Sequence, residues 1–178
     1  MAMAYNDQKK RPKPLKTEQL KQLALRYVSR YATSQAKLAT YLNRKLLERG
    51  WSDEKPADIA LLVSRFAELG YIDDGEYARN KAASLNRRGY GSQRIKQAFY
   101  ADGIAEEDAS AATQESEARK WSTAHAFAKR KRIGPYAQEQ ADEDKKRKQI
   151  GAFLRAGHEM SIARRFVDAA PNETIDEE

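Results

Sequence analysis

Three helix endings recur along the chain at nearly equal spacing. KLLERGW (45–51), AFYADGI (98–104) and AFLRAGH (152–158) each place a large apolar residue four positions before a glycine: Leu46, Phe99 and Phe153 before Gly50, Gly103 and Gly157. The glycines lie 53 and 54 residues apart, and an apolar or small residue recurs nine positions after each, at Ile59, Ala112 and Phe166. Short helices often end in glycine by chance, but the near-equal interval favours tandem three-helix units. Units of this size bury little apolar surface alone, so neighbours are expected to pack on each other.

The rest of the pattern is helical. Ala, Leu, Lys, Arg, Glu and Gln dominate, and strand-like alternation is absent. Leu20, Leu23, Ala24, Tyr27 and Val28 follow the spacing of one buried helix face. Thr33 or Ser34 caps a second helix carrying Leu38, Leu42 and Leu46, which stops at Gly50. Pro56 suits the first turn of a third helix, with Ile59, Leu62, Val63 and Phe66 inward and Gly70 at its end. A helix with Tyr77, Ala78, Lys81, Ala82 and Leu85 follows, then one capped by Ser92 with Ile95, Ala98 and Phe99 inward. The third unit is least regular: Trp121, Ala124 and Ala128, a polar loop at GPYAQEQADEDKK, then Ile150, Phe153 and Leu154, and finally Ile162, Phe166 and Val167. The expected organisation is all-α: a basic arm over 1–16, three-helix units over 17–70, 73–117 and 118–170, and an acidic tail over 171–178.

GYIDDGEYA (70–78) tests for chemistry. Its aspartates could belong to a metal or acid–base site, but no second acidic or histidine motif stands ready to converge on them. Asp73 followed by Glu76 reads instead as a capping box, favoured by the helix dipole, with Ile72 stapling onto Tyr77. No GxxxxGK[ST], GxSxG, HExxH or paired CxxC is present. There is no cysteine, and the two histidines, His125 and His158, lack metal-ligand spacing. His125, near the Trp121 face, reads as a packed or surface residue. No catalytic residue, metal or cofactor is expected. The basic N-terminus has no apolar stretch behind it, so neither a secretory signal nor a membrane span is expected, and a reducing cytoplasm fits.

The net charge is +7 and the pI about 9.5, which favours polyanions or acidic surfaces as partners. Basic residues gather at 9–16, 79–96 and 119–132; acidic ones gather at 106–117 and in the tail. Arg79, Lys81, Arg87, Arg88, Arg94 and Lys96 form either a solvated face or a contact surface. Within RRGYGSQR, Gly89 and Gly91 bend the chain, Tyr90 stacks or packs, and backbone N–H groups at the following helix start suit a phosphate or carboxylate. Lys129, Arg130, Lys131 and Arg132 form a denser run without an aromatic ladder. It reads equally as a sequence-independent phosphate or acidic-partner contact and as a neutralising partner for Glu106–Glu117.

The stretch GYIDDGEYARNKAASLNRRGYGSQRIKQAFYADGI resembles the RecX family, regulators of the bacterial recombinase RecA. The matching positions are Gly70, Tyr71, Ile72, Asp73, Asp74, Tyr77 and Ala78, then Gly89, Tyr90, Gly91, Ile95, Phe99, Gly103 and Ile104. The first unit also resembles the family through ATSQAKLATYL and Gly50, and the likeness extends over roughly 18–168. Two positions depart from the family pattern: His158 stands where an aromatic is usual, and Asp102 where a basic residue is frequent. The resemblance implies an elongated, curved protein of three tandem three-helix repeats, monomeric and without catalytic residues. It also implies binding along the groove of a RecA–single-stranded DNA filament, with RecA's ATPase and strand exchange lowered by blocking filament growth or promoting disassembly, in the setting of DNA repair, homologous recombination and the SOS response. The alternative is a nonspecific nucleic-acid-binding helical protein that competes for DNA.

Overall fold

The computed structural model describes residues 13–177; most of the expected basic arm, 1–12, lies outside the described residues. Among the described residues nine α-helices follow one another: α1 (Thr17–Val28), α2 (Gln35–Arg49), α3 (Ile59–Glu68), α4 (Asp74–Arg87), α5 (Ser92–Ala101), α6 (Glu106–Ala118), α7 (Lys120–Lys131), α8 (Glu143–Arg155) and α9 (Met160–Asp168). A 3₁₀ turn, Gly134–Tyr136, follows α7. Among the described residues the only strand-like pairing is an isolated bridge between Leu15 and Trp51. The chain divides into two compact units, 1–72 and 73–178.

The first unit closes on one core. Leu20 and Ala24 of α1 meet Leu38 and Leu42 of α2 and Ile59, Val63 and Phe66 of α3. Ser34 caps α2 by accepting from the Lys37 amide at 3.2 Å, and Gly50 ends it at φ +79°. Two expectations shift here. The third helix starts at Ile59 rather than around Pro56, because the Asp58 carboxylate takes the cap, accepting from the Leu61 amide at 2.8 Å. Leu15, expected within the free arm, is fully buried, and its N–H donates to the Gly50 carbonyl at 2.9 Å. An apolar residue beside an open helix end gains burial and a backbone partner together.

The second unit holds two cores. The first is built from small residues, Ala78 and Ala82 of α4 against Ala109 and Ala112 of α6, with Ile95 and Phe99 of α5 filling it. Asp73 caps α4 as the capping reading expects, its Oδ1 accepting from the Glu76 amide at 2.7 Å. Ile72 is buried in the first unit's core, and the Tyr77 hydroxyl donates to Asp102 at 2.7 Å. Ser92 is the first residue of α5, and Gly91 occupies the cap position.

The other core gathers Phe127 of α7, Phe153 of α8 and Ile162, Phe166 and Val167 of α9. Phe127 and Phe153 meet edge to face with ring centroids 4.7 Å apart, a favoured aromatic geometry. The acidic tail folds back onto this core. Ile175 is buried, and Arg165 donates to the Asp176 carbonyl at 2.6 Å.

The two cores of the second unit meet where backbone touches backbone. The Gly91 N–H donates to the Ala156 carbonyl at 2.9 Å, and the Gln93 N–H to the Gly157 carbonyl at 3.3 Å. A Cβ on Gly91 would fall 2.3 Å from the Gly157 oxygen, and one on Gly89 would fall 2.6 Å from the Phe127 nitrogen. Gly91 has φ −79°, open to any residue, so closeness alone excludes a side chain there. Gly91→Ala is therefore expected to destabilise the protein by about 1–3 kcal/mol through overpacking against a carbonyl that cannot yield. Gly50→Ala, which meets nothing within 4 Å, is expected to cost about 1 kcal/mol from its positive φ alone. Thermal melts of the two variants check the order; a Gly91→Ala melt equal to wild type contradicts this packing.

Candidate interaction surface

The glycine contact decides which basic residues meet. It brings the α4–α5 turn, Arg87–Gly91, beside the end of α7 and the α8–α9 turn. Arg130 Nη1 donates to the Arg88 carbonyl. The Arg88 and Arg130 guanidiniums lie 5.1 and 5.7 Å from the Tyr90 ring centroid, within the range of cation–π attraction. Tyr90 itself is half-buried against the α7–α9 core. Of its two expected roles, packing is the one seen, with cations laid over the ring. Residues 88 and 130, 42 positions apart, thus form one cluster.

The remaining candidates fall into three situations. Arg87, Lys129, Lys131 and Arg132 are exposed, and among the described residues no carboxylate lies within ion-pair distance of them. Arg132 holds the left-handed conformation that ends α7, φ +54°, where a glycine is usual. Arg79 is also exposed, on α4 about 12 Å before Arg87 at 1.5 Å per residue. Arg94 is exposed on α5, and its guanidinium lies 3.5 Å from the Gln97 side-chain oxygen. Lys81 and Lys96, by contrast, are engaged. Lys81 Nζ sits 2.8 Å from Asp102 and Lys96 Nζ 2.6 Å from Glu117.

Two sequence expectations are corrected by this geometry. The amides at the start of α5 do not form an open anion site, because carbonyls of the α8–α9 turn already accept from Gly91 and Gln93. The acids of α6 do not neutralise 129–132: Glu117 pairs with Lys96, and Glu115 with Arg119 at 2.7 Å. Short i, i+4 and cross-helix reach wins over a more distant run.

His158 is the contact that sequence reading left unexplained. It is buried between the Phe127 and Phe153 rings, at 5.4 and 5.3 Å, and its Nε2 lies 3.0 Å from the Gly89 carbonyl. That partner assigns the proton to Nε2, so the imidazole donates. It thereby does what a plain aromatic at this place cannot, tying the α8–α9 turn to the α4–α5 turn. His125 packs on Phe166 at 4.8 Å and meets the Tyr136 hydroxyl at 2.9 Å, as a packed histidine. Among the described residues no group of three His, Asp or Glu is placed to hold a metal, and no helix is long and apolar enough to cross a membrane.

Burial holds the His158 pKa below its ordinary value, with the Gly89 hydrogen bond opposing that shift. The unfolded chain therefore binds the proton more readily. Stability is full above the unfolded pKa near 6.5 and falls as the pH drops toward the lowered folded value. Between about pH 7.5 and about pH 5.5, wild type is expected to lose more thermal stability than His158→Phe. Parallel losses in the two proteins contradict this assignment.

The chain is similar to known proteins. The profile of the RecX second three-helix domain matches residues 73–112. The chain is 29% identical over 175 residues to regulatory protein RecX of Myxococcus xanthus, covering 91% of each. It is 29% identical to that of Agrobacterium fabrum, covering 80% of this chain and 78% of that one. The crystal structure of RecX from Lactobacillus salivarius superposes with a TM-score of 0.59 at 18% identity, over 85% of this chain and 94% of that one, and so shares the fold.

Proposed function

The chain belongs to the RecX family of regulatory proteins, and from that premise we propose that it binds RecA filaments on single-stranded DNA. There it lowers ATPase and strand exchange and limits filament growth, and so modulates recombination and DNA repair. It acts by occupying the filament, with no turnover of its own. In this reading the chain is built of three tandem three-helix repeats, over 17–70, 73–117 and 118–170.

The observation that supports this reading most is the cation cluster of the second unit. Arg87, Arg88, Arg130 and the exposed Lys129, Lys131 and Arg132 come from two separated stretches, gathered by glycine packing. Their charge is not spent on the acids of α6. Such a cluster attracts the phosphates and acidic groups of a nucleoprotein filament. Lys81 and Lys96, held in ion pairs, are expected to contribute less than the unpaired cations.

Charge reversal separates the proposal from plain competition for DNA. Arg87→Glu with Arg88→Glu is expected to weaken cosedimentation with RecA filaments by about tenfold at physiological salt, while Lys96→Glu changes it little. Normal filament binding combined with lost affinity for naked DNA would instead assign the cluster to DNA alone.

A further inference from the structure

We infer that the first unit carries a separate site that stacks the bases of single-stranded nucleic acid. This goes beyond the filament reading: it uses none of the residues assigned above and needs no RecA. Three tyrosines and four cations converge on one face of α1 and α2, around a cleft of about 470 Å³. Tyr27 and Tyr41 stack, centroids 4.3 Å apart and planes 21° apart, and Tyr31 leans on Tyr27 at 5.2 Å. Arg44 and Lys45 lie 5.7 and 5.8 Å from the Tyr41 centroid.

The packing of the unit explains part of this cluster. Tyr27 and Tyr41 are half-buried and seal the first unit's core. Tyr31 is outside that core, and 56% of it is exposed. Glu48 takes up Lys45 at 2.6 Å and Arg44 more loosely at 3.6 Å. Arg26, in the last turn of α1, and Arg30, just past its end, lie beside Tyr27 and Tyr31 and have no carboxylate within ion-pair distance among the described residues. The result is an exposed ring, tilted 51° against the end of a two-ring stack and flanked by two guanidiniums without an ion-pair partner among the described residues.

That arrangement matches one ligand chemistry. A nucleobase presents a flat π face that packs on an exposed tyrosine ring, and its phosphate meets the neighbouring arginine. A duplex hides its base faces within its own stack, so the ring selects single strands, while the cations serve both forms. The sequence signal is RYVSRY (26–31), in which Arg and Tyr each repeat on one face of the helical path.

Fluorescence anisotropy of the full chain, without RecA, tests the site with a labelled oligo-dT of about 20 nucleotides, longer than one binding footprint. Tyr31→Ala is expected to weaken binding about tenfold, equivalent to one stacked base, and Tyr31→Phe to restore it. Affinity for a duplex of equal length is expected to be unchanged by Tyr31→Ala. Arg26→Glu with Arg30→Glu is expected to weaken both DNA forms and flatten the salt dependence. Since Tyr31 is exposed, circular dichroism and thermal melts of its variants are expected to match wild type. Unchanged oligo-dT binding by Tyr31→Ala overturns the site, as does an equal loss on the duplex. Because RecA is absent, that result leaves the filament reading standing.

Discussion

The approach of one helical turn onto another, backbone against backbone, governs the second unit. At Gly91 and Gly157 the chain has no side chains, so amides of the α4–α5 turn reach carbonyls of the α8–α9 turn. Each such bond would be ordinary on a surface, but here it satisfies polar groups that packing removes from water. His158 adds a side-chain bond to the same junction, and Phe127 and Phe153 enclose it. The two small cores are thereby joined through matched polar groups rather than through a broad apolar face. The second core, lined by alanines, has little apolar surface to offer, which makes that junction important to its stability.

The same contact arranges the electrostatics. It fills the start of α5 with protein carbonyls, removing an anion site that the helix dipole alone would favour. It also sets Arg88 and Arg130 around Tyr90 and leaves Arg87, Lys129, Lys131 and Arg132 facing water. Nearby acids are spent locally, Asp102 on Lys81 and Glu117 on Lys96. Net charge alone therefore overstates how many cations are free. Geometry selects a smaller set, drawn from two distant stretches. In the proposed complex, this set meets the filament.

Much of the fold was legible because it rests on local rules. Apolar spacing marks α1 to α5, and Gly50, Gly70, Gly103 and Gly157 take positive φ at helix ends as their positions suggest. Asp73 is read correctly as a cap for the same reason. What sequence missed is long-range. The Tyr77 hydroxyl is captured by Asp102, 25 residues away. Gly91 looks like a bend but is a point of close approach to a turn far along the chain. Leu15 and the 171–177 segment look like loose ends, yet each finds a core and backbone partners. Of the candidate cations, sequence could name the residues but not their partners, which depend on where α6 and α7 come to rest.

The most direct measurement is RecA's single-stranded-DNA-dependent ATPase, with DNA in excess and this protein titrated in well below the RecA concentration. Inhibition at substoichiometric protein is the predicted result, since a bound regulator acts on a filament of many subunits. Inhibition that begins only when the protein is abundant enough to coat the DNA would contradict a filament-directed role.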